Sequence, residues 1–267
     1  MHDLISFDHQ ILPADRASIL SVSSAGLYGK GVFTTIAVFG GTPFLWEKHW
    51  RRLIGDCGRL GIDLADHTEE KTRAAFDELI DGNGVKHGRA RITFFDESSS
   101  DKWPNNTGGR TRMLIMTAER RTPPPEFRIT VSPYRVNSAS PIAGVKSCNY
   151  LEKVLALAEA KVRGFDESVQ FNERGKIATA SMANLFWLKD DVLFTPALKT
   201  GCLAGTTREF ILENLECVEI ETTIDDICGA DEIFLASAGL GITQISEFDG
   251  RVLDRSSHTI TDLLPLA

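Results

Sequence analysis

The chain has 267 residues, 42% of them hydrophobic and 25% charged, which is enough for two domains of ordinary size, each with its own core. Its net charge of −8 argues against nucleic acid or an anionic membrane surface as the main partner, because like charges repel. No apolar run reaches membrane-spanning length and the first residues lack a secretion signal, so we expect a cytoplasmic protein. Five scattered cysteines and six scattered histidines show neither a disulfide framework nor zinc-ligand spacing, so we expect no metal.

The first half of the chain predicts two helices, two strands and a linker. Apolar residues recur at helical spacing over 46–60, and a second helix is predicted over 68–80. Residues 89–95 and 112–117 are typical of strands, and the polar loop 96–110 between them has the Ser, Asn and Gly content of a mobile segment. Three prolines then predict a stiff linker. We therefore expect an N-terminal domain of residues 1–121, a linker of 122–126 and a C-terminal domain of 127–267.

The second half alternates helices with short strands. A helix is predicted over 150–163, capped by Asn149 and ended by Gly164. Branched and aromatic residues between turn signals predict five strands, at 168–172, 184–189, 192–195, 218–222 and 232–236. A further helix begins at Thr206 or Thr207 and ends at Asn214.

Lys146 is the first candidate for chemistry. It follows a proline-rich, strand-like stretch and immediately precedes a predicted helix, so its amine is expected at the edge of a packed core. Removal from water favours the neutral form of an amine, and a neutral amine can form a Schiff base with a carbonyl group. The alternative is a solvated surface lysine, which is the usual place of this residue.

Thr206 and Thr207 are the second candidate. The first turn of a helix offers unpaired backbone N–H groups and a positive dipole end, and two hydroxyls add further donors, so the pair could bind an anion. The alternative is a plain helix cap, which is the commoner role of a threonine before a helix.

The order of these motifs resembles a known enzyme family. The resemblance runs nearly end to end, through residues 27–36, 41–45, 49–53, 142–150, 175–187, 193–196 and 201–208. The chain is similar in this order to the class IV pyridoxal-phosphate enzymes, which include branched-chain aminotransferase, D-amino acid aminotransferase and 4-amino-4-deoxychorismate lyase. The resemblance implies a mixed α/β fold of two domains, a small N-terminal α/β domain and a larger C-terminal domain with a β-barrel-like core.

The same resemblance implies roles for individual residues. Lys146 would hold pyridoxal 5'-phosphate covalently and serve as the general base and acid. The cofactor phosphate would be bound by Arg52, Thr206 and Thr207. Leu203 would lie against the cofactor ring. Thr179 would face the ring nitrogen. Asn184 would shape the turn after the Thr179 strand, for which a purely structural role is the alternative.

This sequence departs from the family pattern at three places. Most members carry a glutamate at the position of Thr179, where its charge keeps the ring nitrogen protonated and makes the ring a strong electron sink. Lys30 replaces a residue that is usually acidic. The pair Phe94 and Phe95 stands where D-amino acid aminotransferase has a carboxylate-binding arginine. Arg89 and Arg91 lie nearby on a common face of the strand that the sequence does not assign.

The departures favour a lyase over a transaminase, because aromatisation of the product to 4-aminobenzoate supplies driving force that transamination lacks. The substrate, a small-molecule amine, would contact Tyr28, Phe33, Phe94 and either Thr34 or Thr35, with Thr34 preferred; the alternative is that the aromatics are core and the threonines ordinary strand residues. The motifs also resemble the lyase, although it usually has an asparagine at Ser237.

Two further hypotheses are an aminotransferase of branched-chain or D-amino acids and a non-catalytic homologue. Family members are usually homodimers, so we expect one here.

Overall fold

The computed structural model describes residues 1–98, 103, 110–256 and 258–264. The chain divides into two compact units, the first formed by Met1–Arg121 together with Val145–Asn149, and the second by Thr122–Gly144 and the described residues between Tyr150 and Leu264. Both units combine helices with sheets, so the predicted mixed α/β class is confirmed. Lys146 belongs to the first unit, whereas the sequence assigned it to the C-terminal domain. Most of the predicted mobile loop, 99–102 and 104–109, lies outside the described residues.

The first unit contains one antiparallel sheet of six strands, with its two long helices against one face. Its strands are β1 Leu4–Phe7, β2 Gln10–Pro13, β3 Gly31–Phe39, β4 Thr42–Pro43, β5 His87–Asp96 and β6 Thr111–Glu119. Its helices are α1 Ser24–Tyr28, α2 Trp46–Leu60 and α3 Glu69–Gly82, preceded by a short 3₁₀ turn at Ala14–Arg16. The strand order is β2-β1-β6-β5-β3-β4.

The core of the first unit follows from the pattern of apolar residues. Trp46, Trp50, Leu53 and Cys57 recur every three or four residues along α2 and are all buried. They pack with apolar residues from every second position of β3 and β5, because alternate strand side chains point to the same face. The helix ends at Gly61, whose φ of 61° is a left-handed conformation that glycine adopts without strain. The predicted helix over 46–60 is thus confirmed.

The second unit contains two five-stranded sheets. Its strands are β7 Arg128–Val131, β8 Glu167–Phe171, β9 Ile177–Ala180, β10 Asn184–Lys189, β11 Val192–Pro196, β12 Val218–Ile220, β13 Glu232–Ser237, β14 Gly241–Gln244, β15 Glu247–Phe248 and β16 Arg251–Val252. The helices are α4 Leu151–Val162, α5 Thr206–Asn214 and α6 Ile224–Cys228, with 3₁₀ turns at Leu198–Thr200 and Thr259–Asp262. The sheet orders are β12-β11-β10-β13-β14 and β16-β15-β7-β8-β9.

Two expectations for the second unit are corrected. The sheets of the described residues remain two separate five-stranded sheets, so the β-barrel-like core is not a closed barrel. Asn149 does not cap α4: the residue before the helix is Tyr150, and the Asn149 side-chain amide donates instead to the Gly29 carbonyl at 3.3 Å. None of the helices in the described residues combines the length and apolarity that crossing a bilayer requires.

Candidate active site

Lys146 lies in a short segment that extends the sheet of the first unit. Strand β4 pairs with Val38 and Phe39 at the far end of β3. At the near end, the Phe33 amide donates to the Lys146 carbonyl at 2.9 Å and the Cys148 amide donates to the Gly31 carbonyl at 2.8 Å. These bonds make Lys146 the antiparallel cross-strand neighbour of Phe33. Backbone pairing therefore fixes where the lysine side chain starts.

On the face of Lys146, two basic side chains lie above one aromatic ring. The Lys146 Nζ lies 4.6 Å from the centroid of the Phe33 ring, and the Arg91 guanidinium carbon lies 3.6 Å from it. Arg91 shares this face because it pairs with Thr35 across the β3–β5 ladder, two residues along from Phe33. Its Nε donates to the Thr93 hydroxyl at 3.1 Å, which fixes the guanidinium over the ring.

The other face of β3 is covered by α2, which aligns three polar side chains toward it. His49, Arg52 and Asp56 are spaced by three and four residues and so share one side of the helix. Arg52 Nη2 donates to the Thr34 hydroxyl at 2.7 Å, and the same hydroxyl lies 2.6 Å from His49 Nδ1. The Asp56 carboxylate accepts the Lys146 backbone N–H at 3.1 Å. Helix α2 thus contacts the backbone of the Lys146 segment through the Asp56 carboxylate.

The Thr34 hydroxyl connects Arg52 with His49. A guanidinium can only donate, so the Thr34 oxygen accepts from Arg52, and the same hydroxyl shares a second hydrogen bond with His49 Nδ1 whose direction depends on the tautomer of the ring. The pKa of His49 lies well below the usual value because of burial and the nearby charges of Arg52 and Lys146, which favours the neutral ring. Burial likewise raises the pKa of Asp56, an effect that the Lys146 N–H opposes.

The structure separates the predicted substrate-contacting residues of the first unit. Phe33 lies on the face of Lys146. The side chains of Thr34 and Phe94 lie on the opposite face: Thr34 is fully buried against His49 and Arg52, and Phe94 is fully buried beside Trp50. Tyr28 is half-exposed at the end of α1, where the next residue, Gly29, is tied to Asn149. Of the two threonine alternatives, Thr35 shares the face of Lys146.

The second unit contains a helix start that is built closely around a glycine. The Asn184 amide, at the start of β10, donates to the Leu203 carbonyl at 2.8 Å. A Cβ atom on Gly205 would fall 2.0 Å from the Asn184 side-chain oxygen, so only glycine fits there. Helix α5 begins directly afterwards with Thr206 and Thr207, both buried. Asn184 therefore shapes the loop that leads into the predicted anion site.

Thr179, at the end of β9, lies beside a tight turn that a buried acid stabilises. The Glu167 carboxylate accepts backbone N–H groups of Ser168, Ser181 and Met182 at 2.9 to 3.1 Å. The Thr179 hydroxyl lies 2.9 Å from two carbonyl oxygens of the same turn, those of Ala180 and Ala183. A hydroxyl has one proton to donate, and it is shared between these two carbonyl acceptors.

Sequence reasoning missed several of these groups. Arg91 was left on an unassigned face, because which side of a strand the helices cover is not encoded in its alternation. His49, Asp56 and Glu167 are buried polar residues whose roles depend on partners distant in sequence. An available signal was the spacing of His49 and Asp56 about Arg52 on the amphipathic helix α2.

Most of the chain is similar to members of one enzyme family. The profile of the family described as amino-transferase class IV matches residues 31–248. Branched-chain-amino-acid aminotransferase of Pseudomonas aeruginosa is 38% identical over 244 residues, which cover 84% of this chain and 78% of the relative. Aminodeoxychorismate lyase of Bacillus subtilis is 28% identical over 262 residues, covering 94% and 89%. The solved branched-chain aminotransferase of Thermoproteus uzoniensis has a TM-score of 0.89 at 27% identity, covering 98% of this chain and 92% of that one.

The chain belongs to the class IV aminotransferase family. It is a pyridoxal-phosphate-dependent enzyme. The residues present fit that cofactor. In the second unit, the turn at Gly205 and the first residues of α5 offer the donors that a phosphate requires. In the first unit, Lys146 offers an amine for the aldehyde.

Proposed function

We propose that this enzyme is a 4-amino-4-deoxychorismate lyase, which releases pyruvate from its substrate to give 4-aminobenzoate. The observation that carries the proposal is the environment of Thr179. The side chain is neutral, and its hydroxyl donates its hydrogen bond to backbone carbonyls. The buried carboxylate of the neighbouring strand, Glu167, is bound by three backbone N–H groups and does not replace the missing acid.

The proposal follows from the strength of the electron sink. When bound, pyridoxal phosphate stabilises negative charge on the carbon that carries the substrate amine, and a carboxylate at its ring nitrogen strengthens this effect. Without that carboxylate, a reaction that is helped by aromatisation is favoured over reversible transamination. The neutral Thr179 therefore supports the lyase among the activities of the family.

We assign the chemical roles as follows. Lys146 would hold the cofactor covalently, and its free amine would serve as the general base that removes the proton from the carbon bearing the substrate amine. Arg52, Thr206 and Thr207 bind the phosphate, Leu203 lies against the ring, and Thr179 faces the ring nitrogen. Phe33 and Arg91 line the face of Lys146, where Arg91 suits a substrate carboxylate.

The bonds of the proposed reaction balance without a second substrate. The C–H bond at the amine-bearing ring carbon breaks and its electron pair completes the aromatic ring. The C–O bond to the enolpyruvyl group breaks in the same conversion, and the departing enolate takes a proton to become pyruvate. No keto acid is consumed, which distinguishes this reaction from transamination.

A product assay tests the lyase. The enzyme loaded with pyridoxal phosphate is incubated with aminodeoxychorismate alone, and 4-aminobenzoate and pyruvate are quantified. We expect multiple turnovers, with the two products in equal amounts. Turnover of aminodeoxychorismate that required an added keto acid, or no 4-aminobenzoate at all, would overturn the proposal.

The lysine assignment has its own test, since Lys146→Ala removes both the covalent link and the general base. We expect at least a 10³-fold loss of product formation, because both covalent and acid–base catalysis are lost. Borohydride reduction of the wild type followed by peptide mapping should find the cofactor on Lys146. Lys161→Ala, which changes an exposed lysine of α4, is the matched control and should retain full activity and the same adduct.

The second candidate is an aminotransferase. It is supported by the 38% identity to the branched-chain enzyme and by Arg91 on the face of Lys146, where it could bind the carboxylate of an amino acid. This candidate predicts one equivalent of keto acid per enzyme when a branched-chain or D-amino acid is added without an acceptor. A non-catalytic homologue is not proposed, because the chain belongs to a family of enzymes.

We also propose that the enzyme acts in the cytoplasm as a homodimer on its small-molecule amine. The assembly follows from the family resemblance. Light scattering of the purified protein should give twice the chain mass of 29.4 kDa, and a monomer retaining full activity would contradict it.

A further inference from the structure

A lysine of the second unit, Lys153, is directed toward the strand pair that contains Thr179. Strands β8 and β9 pair so that Gln170 stands opposite Thr179. Cross-strand partners project their side chains from the same face of a sheet, so the amide of Gln170 lies beside the Thr179 hydroxyl. Lys153, on α4, donates from its Nζ to Gln170 Oε1 at 2.7 Å. Lys153, Gln170 and Thr179 thus follow one another in space.

This arrangement fixes the direction of the Gln170 amide. An ammonium group can only donate, so the amide oxygen is turned toward Lys153 and the amide nitrogen, with its two N–H donors, is turned away from it. Gln170 is 1% exposed, so its orientation is held by packing as well as by the hydrogen bond. The Thr179 hydroxyl donates to backbone carbonyls. The Gln170 amide therefore offers N–H donors beside Thr179.

The charges around Lys153 are consistent with this geometry. Burial lowers the pKa of Lys153 to about 8, against the opposing effects of Glu167, Glu152 and Cys202. Burial raises the pKa of Glu167, whose oxygens accept three backbone N–H groups. The Lys153 ammonium group is separated from Thr179 by the Gln170 side chain. Its positive charge disfavours a second positive charge nearby, such as a protonated ring nitrogen.

We propose that Gln170, oriented by Lys153, donates a hydrogen bond to the ring nitrogen of pyridoxal phosphate and keeps that nitrogen unprotonated. The inference rests on the proposed function in one respect, namely that Thr179 faces the ring nitrogen. It deepens that function by assigning a specific environment to the nitrogen. Gln170 touches the cofactor, whereas Lys153 acts through Gln170 and is a positioning residue.

The direct test is the protonation state of the ring nitrogen. The enzyme is reconstituted with pyridoxal phosphate labelled with ¹⁵N in the ring, and its ¹⁵N resonance is compared with those of the protonated and unprotonated free cofactor. We expect the unprotonated position for the wild type at pH 7 and the protonated position for Gln170→Glu, which places a carboxylate at the nitrogen. A wild-type resonance at the protonated position would overturn the inference.

Cofactor affinity gives a second test that does not depend on turnover. The apoenzyme is titrated with pyridoxal phosphate and with its deaza analogue, in which the ring nitrogen is a C–H group. Gln170→Met should bind pyridoxal phosphate roughly tenfold more weakly and the analogue unchanged, because one hydrogen bond is lost only with the former. Lys153→Met should show a smaller loss of the same kind, since the amide is then free to rotate. Equal weakening for both ligands would indicate a merely structural role and overturn the inference.

The outcomes separate this inference from the proposed function. Gln10→Met, at an exposed position of β2, is the matched control and should bind both ligands like the wild type. If the wild type binds the cofactor on Lys146 with a protonated ring nitrogen, the inference fails and the lyase proposal stands on its product assay. If the cofactor is bound elsewhere than Lys146, both fail.

Discussion

The Thr34 hydroxyl links Arg52 to His49, so a single methyl-for-hydroxyl change tests the network behind Lys146. Thr34→Val keeps the shape of the fully buried side chain but removes the hydroxyl that accepts from Arg52 and hydrogen-bonds His49. We expect the protein to lose about 1–3 kcal/mol of unfolding free energy and to bind pyridoxal phosphate more weakly, because Arg52 is then less well positioned. Denaturant titration and cofactor titration measure the two effects.

Two variants serve as controls for Thr34→Val. Thr34→Ser retains the hydroxyl and should keep most of the cofactor affinity. Thr72→Val changes another fully buried threonine of the same unit, whose hydroxyl has no hydrogen-bond partner among the described residues, so it should not destabilise the protein. If all three variants bound the cofactor alike, the Thr34 link would not position Arg52.

Single residues were predictable where local sequence carried the signal. Lys146 stands out because it falls between a strand-like stretch and a helix. Arg91 did not, because its face depends on which side of the sheet the helices cover. Gln170 and Lys153 were missed because their relation to Thr179 depends on strand register. A signal for Lys153 was present: Ala156 and Ala160, three and seven residues later, form the buried stripe of α4, so a lysine in that stripe must reach inward.

At the scale of elements, the entry to α5 depends on the absence of a side chain at Gly205. Gly205→Ala would place a Cβ atom 2.0 Å from the Asn184 side-chain oxygen and displace Asn184 from the Leu203 carbonyl. The backbone φ of −70° is itself allowed for alanine, so the cost is steric. We expect a loss of about 1–3 kcal/mol in unfolding free energy and markedly weaker binding of the cofactor phosphate.

Gly55→Ala is the matched control, because a Cβ at this interior position of α2 meets open space. Alanine is the better helix former, so this variant should gain up to about 1 kcal/mol. Asn184→Ala combined with Gly205→Ala removes the clash and should recover part of the stability but not the loop geometry. A stable Gly205→Ala protein with wild-type cofactor affinity would show that the turn before α5 tolerates a side chain at position 205.

Elements were predictable in proportion to their periodicity. Helix α2 begins and ends where its apolar repeat predicts, and α5 likewise runs from Thr206 to Asn214. The β1–β2 hairpin was not predicted, because its turn uses Asp8 and His9 with φ of 48° and 67° and lacks the usual glycine signal. The predicted Asn149 cap failed because the side chain hydrogen-bonds Gly29, 120 residues earlier, which no local pattern encodes.

At the scale of the whole molecule, the chain crosses between its units more often than the linear order suggests. The prolines of 123–125 fall near the start of the second unit, as a linker would, yet Val145–Asn149 returns to pair with β3 in the first. This return places Lys146 beside Phe33 and Asp56, residues about a hundred positions earlier. Such pairing depends on a sheet edge that exists only after folding, so no sequence pattern reports it.

The stability of the whole molecule should report the burial of Lys153. Its pKa is lowered from 10.5 to about 8 by burial, so between those values the unfolded chain binds more protons than the folded one. Stability then rises with pH, by on the order of 1 kcal/mol per pH unit from this residue, and is lost as the pH falls toward 8. Urea titrations at several pH values between 7.5 and 10, compared with Lys153→Met, isolate this contribution from other titrating groups. Lys161→Met, which removes an exposed lysine from the same helix, should instead follow the wild type. Parallel pH profiles for the wild type and Lys153→Met would mean that Lys153 stays fully solvated, and its hydrogen bond to Gln170 would then not hold the amide in the orientation described.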